Sequence, residues 1–139
     1  MQTDAAKVAD TTAFQRSYPG TVLHVRRVRA DLAPFTAGYP RADDLILLAS
    51  ELSANAAQHS DSRKPGREFT VRAKLCHGDY AWLEVEDQGG PWITREHGDE
   101  RPHGLDILAT LAGDGNWGID DTSSGNRVVW VRLGWTDPA

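Results

Sequence analysis

The chain holds a single cysteine, Cys76, so no disulfide can form within its 139 residues. Cysteine used this sparingly fits a reducing compartment, and a cytoplasmic location is expected. Long apolar runs are missing as well. None approaches the ~20 residues that cross a bilayer as a helix. The opening stretch, Met1 to Asp10, lacks the basic-then-apolar order of a secretory signal. An excess of basic residues is also absent: 15 Lys and Arg face 20 Asp and Glu, for a net charge of −5. That balance argues against direct binding of nucleic acid, which leaves a basic footprint. No repeat or low-complexity linker interrupts the chain, and its length is near the commonest domain size. We expect a flexible N-terminus over residues 1–11 and one domain over residues 12–136.

The apolar spacing orders the elements. Phe14 to Tyr18 predicts a short first strand closed by Pro19-Gly20. Val22, Val25, Val28, Leu32 and Phe35 recur at helical spacing from Thr21 to Thr36, with Pro34 expected to end or kink the helix. A second helix is predicted from Arg41 to His59, with Leu45, Leu48, Leu52 and Ala56 as its core stripe. Ile46, Leu47 and Ala49 widen that stripe and predict burial on more than one side. Two alternating patterns, Phe69 to Leu75 and Tyr80 to Glu86, flank the turn His77-Gly78-Asp79 and predict a hairpin. Gln88 to His103 is rich in Gly, Pro and charge, as a mobile loop would be. Leu105 to Leu111 predicts a short helix, and Asn116 to Asp120 with Val128 to Trp135 a closing hairpin. Helices first and strands later imply one sheet with helices on one face.

Chemistry concentrates at two places. Glu51 and Asn55 lie four residues apart on the second helix, so they share a face one turn removed. One is a carboxylate able to take a proton and the other an amide whose oxygen suits Mg²⁺. Asp87, 36 positions after Glu51, ends a strand pattern and runs into Gln88-Gly89-Gly90-Pro91. Its carboxylate therefore stands at a strand end, beside backbone that a ligand can approach closely. Together these groups have the makings of a nucleotide site. The simpler readings are a solvated Glu51, a tight turn at Asp87-Gln88-Gly89-Gly90, and tryptophans that serve core and hairpin packing. Trp92 is the exception, as it could border a bound base. A metal triad of Glu51, Asn55 and His59 is disfavoured, since no second His or Cys lies at ligand spacing.

These motifs resemble those of the ATP-binding superfamily that unites histidine-kinase catalytic domains, DNA gyrase, MutL-type repair proteins and certain chaperones. Within it, the chain is most similar to the stand-alone anti-sigma-factor serine kinases of Gram-positive bacteria, notably the short actinomycete versions. Glu51, Asn55 and His59 stand in the family's E-x-x-x-N-A-x-x-H pattern, and Asp87 to Pro91 in its D-x-G-x-P pattern. Gly125-Asn126-Arg127-Val128-Val129-Trp130 resembles the start of its final strand. The resemblance spans about Thr12 to Trp135. It implies an α+β, two-layer sandwich of the Bergerat type, with a mixed, mostly antiparallel sheet and helices on one face. ATP and Mg²⁺ are the implied ligands. Asp87 would accept the adenine amine, Gly89 would give the base room, and Pro91 would belong to the same wall. Asn55 would hold Mg²⁺, and Glu51 would act as the base. Arg101, helped by His103, would balance charge on the transferred phosphoryl group, with Gly104 and Leu105 at the phosphate end.

One motif departs from the family. Its G-x-G-(L/M/F) is here Pro102-His103-Gly104-Leu105, so a proline replaces the first glycine and supplies no N–H to a phosphate. Two functions therefore stay open. The first is a serine/threonine protein kinase that phosphorylates an anti-anti-sigma (STAS-type) partner and holds a sigma factor. The second is a nucleotide-dependent binding switch that has lost phosphotransfer. Retention of Glu51 favours the kinase and Pro102 favours the switch. A gyrase-type ATPase, which normally works through further domains, ranks third. The resemblance also implies a homodimer joined through the first strand and helix edge, and the exposed Arg26, Arg27 and Arg29 are candidate partner contacts.

Overall fold

A computed structural model describes residues 10–90, 105–113 and 115–136, apart from the side chain of His59. Alternation dictates the sheet. In β2 (Glu68–Cys76), Phe69, Val71, Ala73 and Leu75 are buried while the residues between them are not. In β3 (Tyr80–Asp87) the buried parity runs Ala81, Leu83, Val85 and then Asp87. Gly78, at φ 85°, turns one strand into the other, a conformation glycine adopts without Cβ strain. β1 (Thr11–Pro19) pairs with β2, and β5 (Arg127–Gly134) lies between β3 and β4 (Trp117–Asp121). The order is β1-β2-β3-β5-β4, and every described pairing is antiparallel. The sheet is thus antiparallel throughout these strands, with none of the parallel pairing that a mixed sheet permits.

Helices α1 (Leu23–Phe35), α2 (Ala42–His59) and α3 (Asp106–Ala112) cover the inward parity of the strands. Leu45, Leu48, Leu52 and Ala56 of α2, which packs on β2 and β3, share one core with Val28 and Leu32 of α1 and Leu108 of α3. Each fully buried Leu or Val in this layer contributes roughly 1.5–3 kcal/mol. The expected α+β, two-layer architecture with helices on one face is therefore the observed one.

Several boundaries and faces differ from the periodicity. β1 starts at Thr11, three residues before Phe14. Thr11 is thus part of the sheet and not of a flexible tail: it pairs with Cys76, and the Asp10 carbonyl accepts from the His77 N–H at 3.0 Å. The long β2 supplies backbone partners there that no apolar signal announces. Leu47 is 43 % exposed, so α2 buries one broad face only. Val22 is exposed and lies outside α1, which starts at Leu23. The tryptophans also divide. Trp117 and Trp135 pack against the core, whereas Trp82 and Trp130 stack on the open face of the sheet, centroids 5.0 Å apart and 6° from parallel. Gly118 lies under Trp130, and an added Cβ would fall 2.7 Å from the indole nitrogen.

Candidate functional site

The inward parity of β3 carries Asp87 into the same layer as α2, which crosses that strand. Asp87 is buried, with 4 % of its surface exposed, and both carboxylate oxygens are engaged. The Gly89 N–H donates to Oδ1 at 2.8 Å, and Nε of Arg127 approaches Oδ2 at 3.3 Å. Arg127 faces Asp87 directly across the β3–β5 register, so strand pairing itself sets the ion pair. Its Nη1 donates to the Gly90 carbonyl at 2.9 Å. Burial pushes the Asp87 carboxyl above its ordinary value, and the Arg127 charge and the Gly89 N–H oppose that rise.

The segment after Asp87 is tightly held. The Gln88 N–H donates to the Ser62 hydroxyl at 2.9 Å, and the Asp61 N–H to the Gly89 carbonyl at 3.0 Å. Both partners come from a 3₁₀ turn, Asp61–Arg63, at the C-terminal end of α2. Gly89 and Gly90 each take φ 77°. A Cβ on Gly89 would fall 2.2 Å from the Gly125 carbonyl oxygen, and one on Gly90 2.4 Å from the Asp61 carboxylate. The chain's own turns therefore account for both glycines: the space cleared at Gly89 is filled by the β4–β5 turn. Gln88 to Gly90 is an anchored strand exit, unlike the mobile loop that composition predicts from Gln88 onward.

Asn55 projects from α2 and is 8 % exposed. Its amide nitrogen is buried with no hydrogen-bond partner among the described residues. Such an orphan is costly unless a ligand completes it. The two ends of a side-chain amide are assigned from their surroundings, so this site fits an oxygen donor to a hydrated Mg²⁺ equally well. Glu51, one turn earlier, is half-buried and lines a groove of about 300 Å³ with Arg29, Asp43, Ile46, Leu47 and Ser50. The groove opens between α1 and α2, so Glu51 is the more exposed of the two.

Leu105 is buried at the N-terminal boundary of α3. Arg41, buried at the start of α2, reaches across with its Nη2 to the Leu111 carbonyl at 2.7 Å and anchors the other end of α3. Asn55 thus lies in the C-terminal half of α2 and Asp87 at the end of β3, two elements tied through the 3₁₀ turn, while Glu51 faces the groove between α1 and α2. Pro91, Trp92, Arg101, Pro102, His103 and Gly104 lie outside the described residues. Among the described residues no cluster of His, Cys, Asp or Glu could hold a metal on its own, and no helix is long and apolar enough to cross a membrane.

The fold is similar to that of the crystal structure of the RsbU and RsbW domains of Rv1364c from Mycobacterium tuberculosis. The TM-score is 0.66 at 20 % identity, over 88 % of this chain and 32 % of that one. This likeness establishes the fold. The chain spans about a third of the length of that protein. No protein-family model matches the chain, and no curated protein does.

Arg127, Asp61 and Ser62 escaped the motif reading. Arg127 had a usable signal: the alternation Val129, Val131, Leu133 extended back by two places it inward beside Asp87. The two loop residues had none, because their role depends on where α2 ends against β3.

Proposed function

We propose that this chain is an ATP-binding regulatory protein of the anti-sigma-factor kinase type, acting on protein partners by phosphotransfer. The observation that carries this reading is the orphaned, buried amide of Asn55, one helical turn from Glu51 and in the same layer as Asp87. Asn55 would hold Mg²⁺, Asp87 would read the base, and Leu105 would stand at the phosphate end beside Arg101, His103 and Gly104. Mg²⁺ supplies charge neutralisation at the phosphates when bound. Glu51 has access to a solvent-open groove, which suits a base that must accept a proton from a hydroxyl on a protein rather than from an enclosed water. The partners in this reading are a serine-bearing STAS-type antagonist and a sigma factor, and the protein itself is a homodimer in the cytoplasm.

The runner-up, a nucleotide-dependent switch without transfer, draws support from Pro102, which supplies no N–H to a phosphate. The two readings separate by intact-mass analysis after incubation with Mg-ATP and the organism's serine-bearing antagonist domains. The kinase reading predicts a one-phosphate gain on an antagonist, lost in Glu51→Ala while ATP binding persists. The general base contributes ~10²–10⁴-fold in such reactions. Binding without any phosphate gain would leave the switch. A wild-type rate in Glu51→Ala would remove Glu51 from the base role.

A further inference from the structure

The ion pair between Asp87 and Arg127 bears on which base the site accepts, and its consequence rests on the nucleotide reading above. An unpaired buried carboxylate discriminates sharply between purines. A 6-amino group donates to it, whereas a 6-oxo group sets two acceptors against each other and leaves both unsatisfied. Asp87 is not such a carboxylate. Gly89 N–H holds Oδ1 at 2.8 Å, Arg127 Nε stands 3.3 Å from Oδ2, and both residues are buried. The guanidinium is pinned from a second side by the Gly90 carbonyl at 2.9 Å, so it cannot swing away without giving up that hydrogen bond as well. The strand register places the two residues opposite each other whatever the state of the site.

A base edge that meets this pair meets a nearly neutral, dipolar wall. The amine's advantage shrinks, because Arg127 already shares the carboxylate. The penalty on a carbonyl oxygen shrinks too, because a full positive charge lies beside the acceptor it would otherwise face. We infer that Arg127 is a specificity-determining residue that relaxes base selection, so that the site takes 6-oxopurine as well as 6-aminopurine nucleoside triphosphates.

The test displaces a ribose-labelled fluorescent ATP analogue from the wild-type protein with ATP and, separately, with inosine triphosphate. The inference predicts affinities within about tenfold of each other. A site that reads the amine through hydrogen bonds alone would discriminate by far more, on the order of 10⁴-fold. Arg127→Met, which keeps the apolar stem and removes the charge, should widen the preference for ATP by at least about tenfold. Arg127→Lys, which keeps the charge, should leave selectivity near the wild-type value and serves if the methionine variant does not fold. A wild-type preference for ATP beyond about tenfold overturns the role of Arg127 while leaving nucleotide binding intact. Failure of the labelled nucleotide and of both competitors to bind overturns the nucleotide reading itself, and this inference with it.

Discussion

Asn55 and Asp87 solve the same problem, a buried polar group, in opposite ways. Asp87 is compensated by Arg127 and by the Gly89 N–H, whereas the Asn55 amide nitrogen has no partner among the described residues. A group buried without a partner costs about 1–3 kcal/mol. Asn55→Ala should therefore leave the thermal midpoint unchanged or slightly raised, while removing the dependence of ATP affinity on Mg²⁺. Thermal melts and calorimetry on the one variant check both halves, and a strongly lowered midpoint would mean that Asn55 is a structural residue. The sequence motif alone singles out Asn55 as a candidate, because an amide among alanines on an apolar helix needs a partner. It singles out Asp87 too, but not the partner of Asp87. That partner depends on which strand lies beside β3, and the chain must reach β5, 40 residues on, to supply it.

At the level of elements, the open face of the sheet is held by a charged ladder. Arg72 bridges Glu84 and Glu86 at 2.8 Å each, and Asn126 donates to Glu86 at 2.8 Å from the turn that leads into β5. The Asn126 amide holds the Glu86 carboxyl below the usual carboxylate range, with Arg72 adding to the effect and burial opposing it. A carboxyl lowered in the folded state contributes stability that is fully present above its ordinary unfolded value. That contribution is lost as pH falls through the lowered value. Glu86→Gln should cost about 1 kcal/mol at neutral pH and flatten the loss of stability on the acid side. Urea midpoints measured from neutral pH down through the carboxylate range check this, and parallel curves for the two proteins would contradict it. Elements as a class were well marked by alternation and helical spacing. β2 and β3 follow their periods closely, while β1 runs past its apolar residues because hydrogen bonding to β2 needs no side-chain pattern. The same limit explains Leu47, whose apolar character predicts a burial that no neighbouring element among the described residues provides.

In the molecule as a whole, one helical layer on one antiparallel sheet brings the C-terminal half of α2, the end of β3 and the start of β5 to a common end. The 3₁₀ turn Asp61–Arg63 ties two of these together, hydrogen-bonding the end of the helix that carries Asn55 to the strand end that carries Asp87. That coupling makes a nucleotide bridging the two positions a reasonable ligand, since base and metal would be read from one rigid frame. The most direct measurement is an isothermal titration of the wild-type protein with a non-hydrolysable ATP analogue, with and without Mg²⁺. A nucleotide site at Asn55 and Asp87 predicts saturable binding that Mg²⁺ strengthens. Absence of binding at millimolar analogue would contradict it, and the fold would then serve protein partners without a nucleotide.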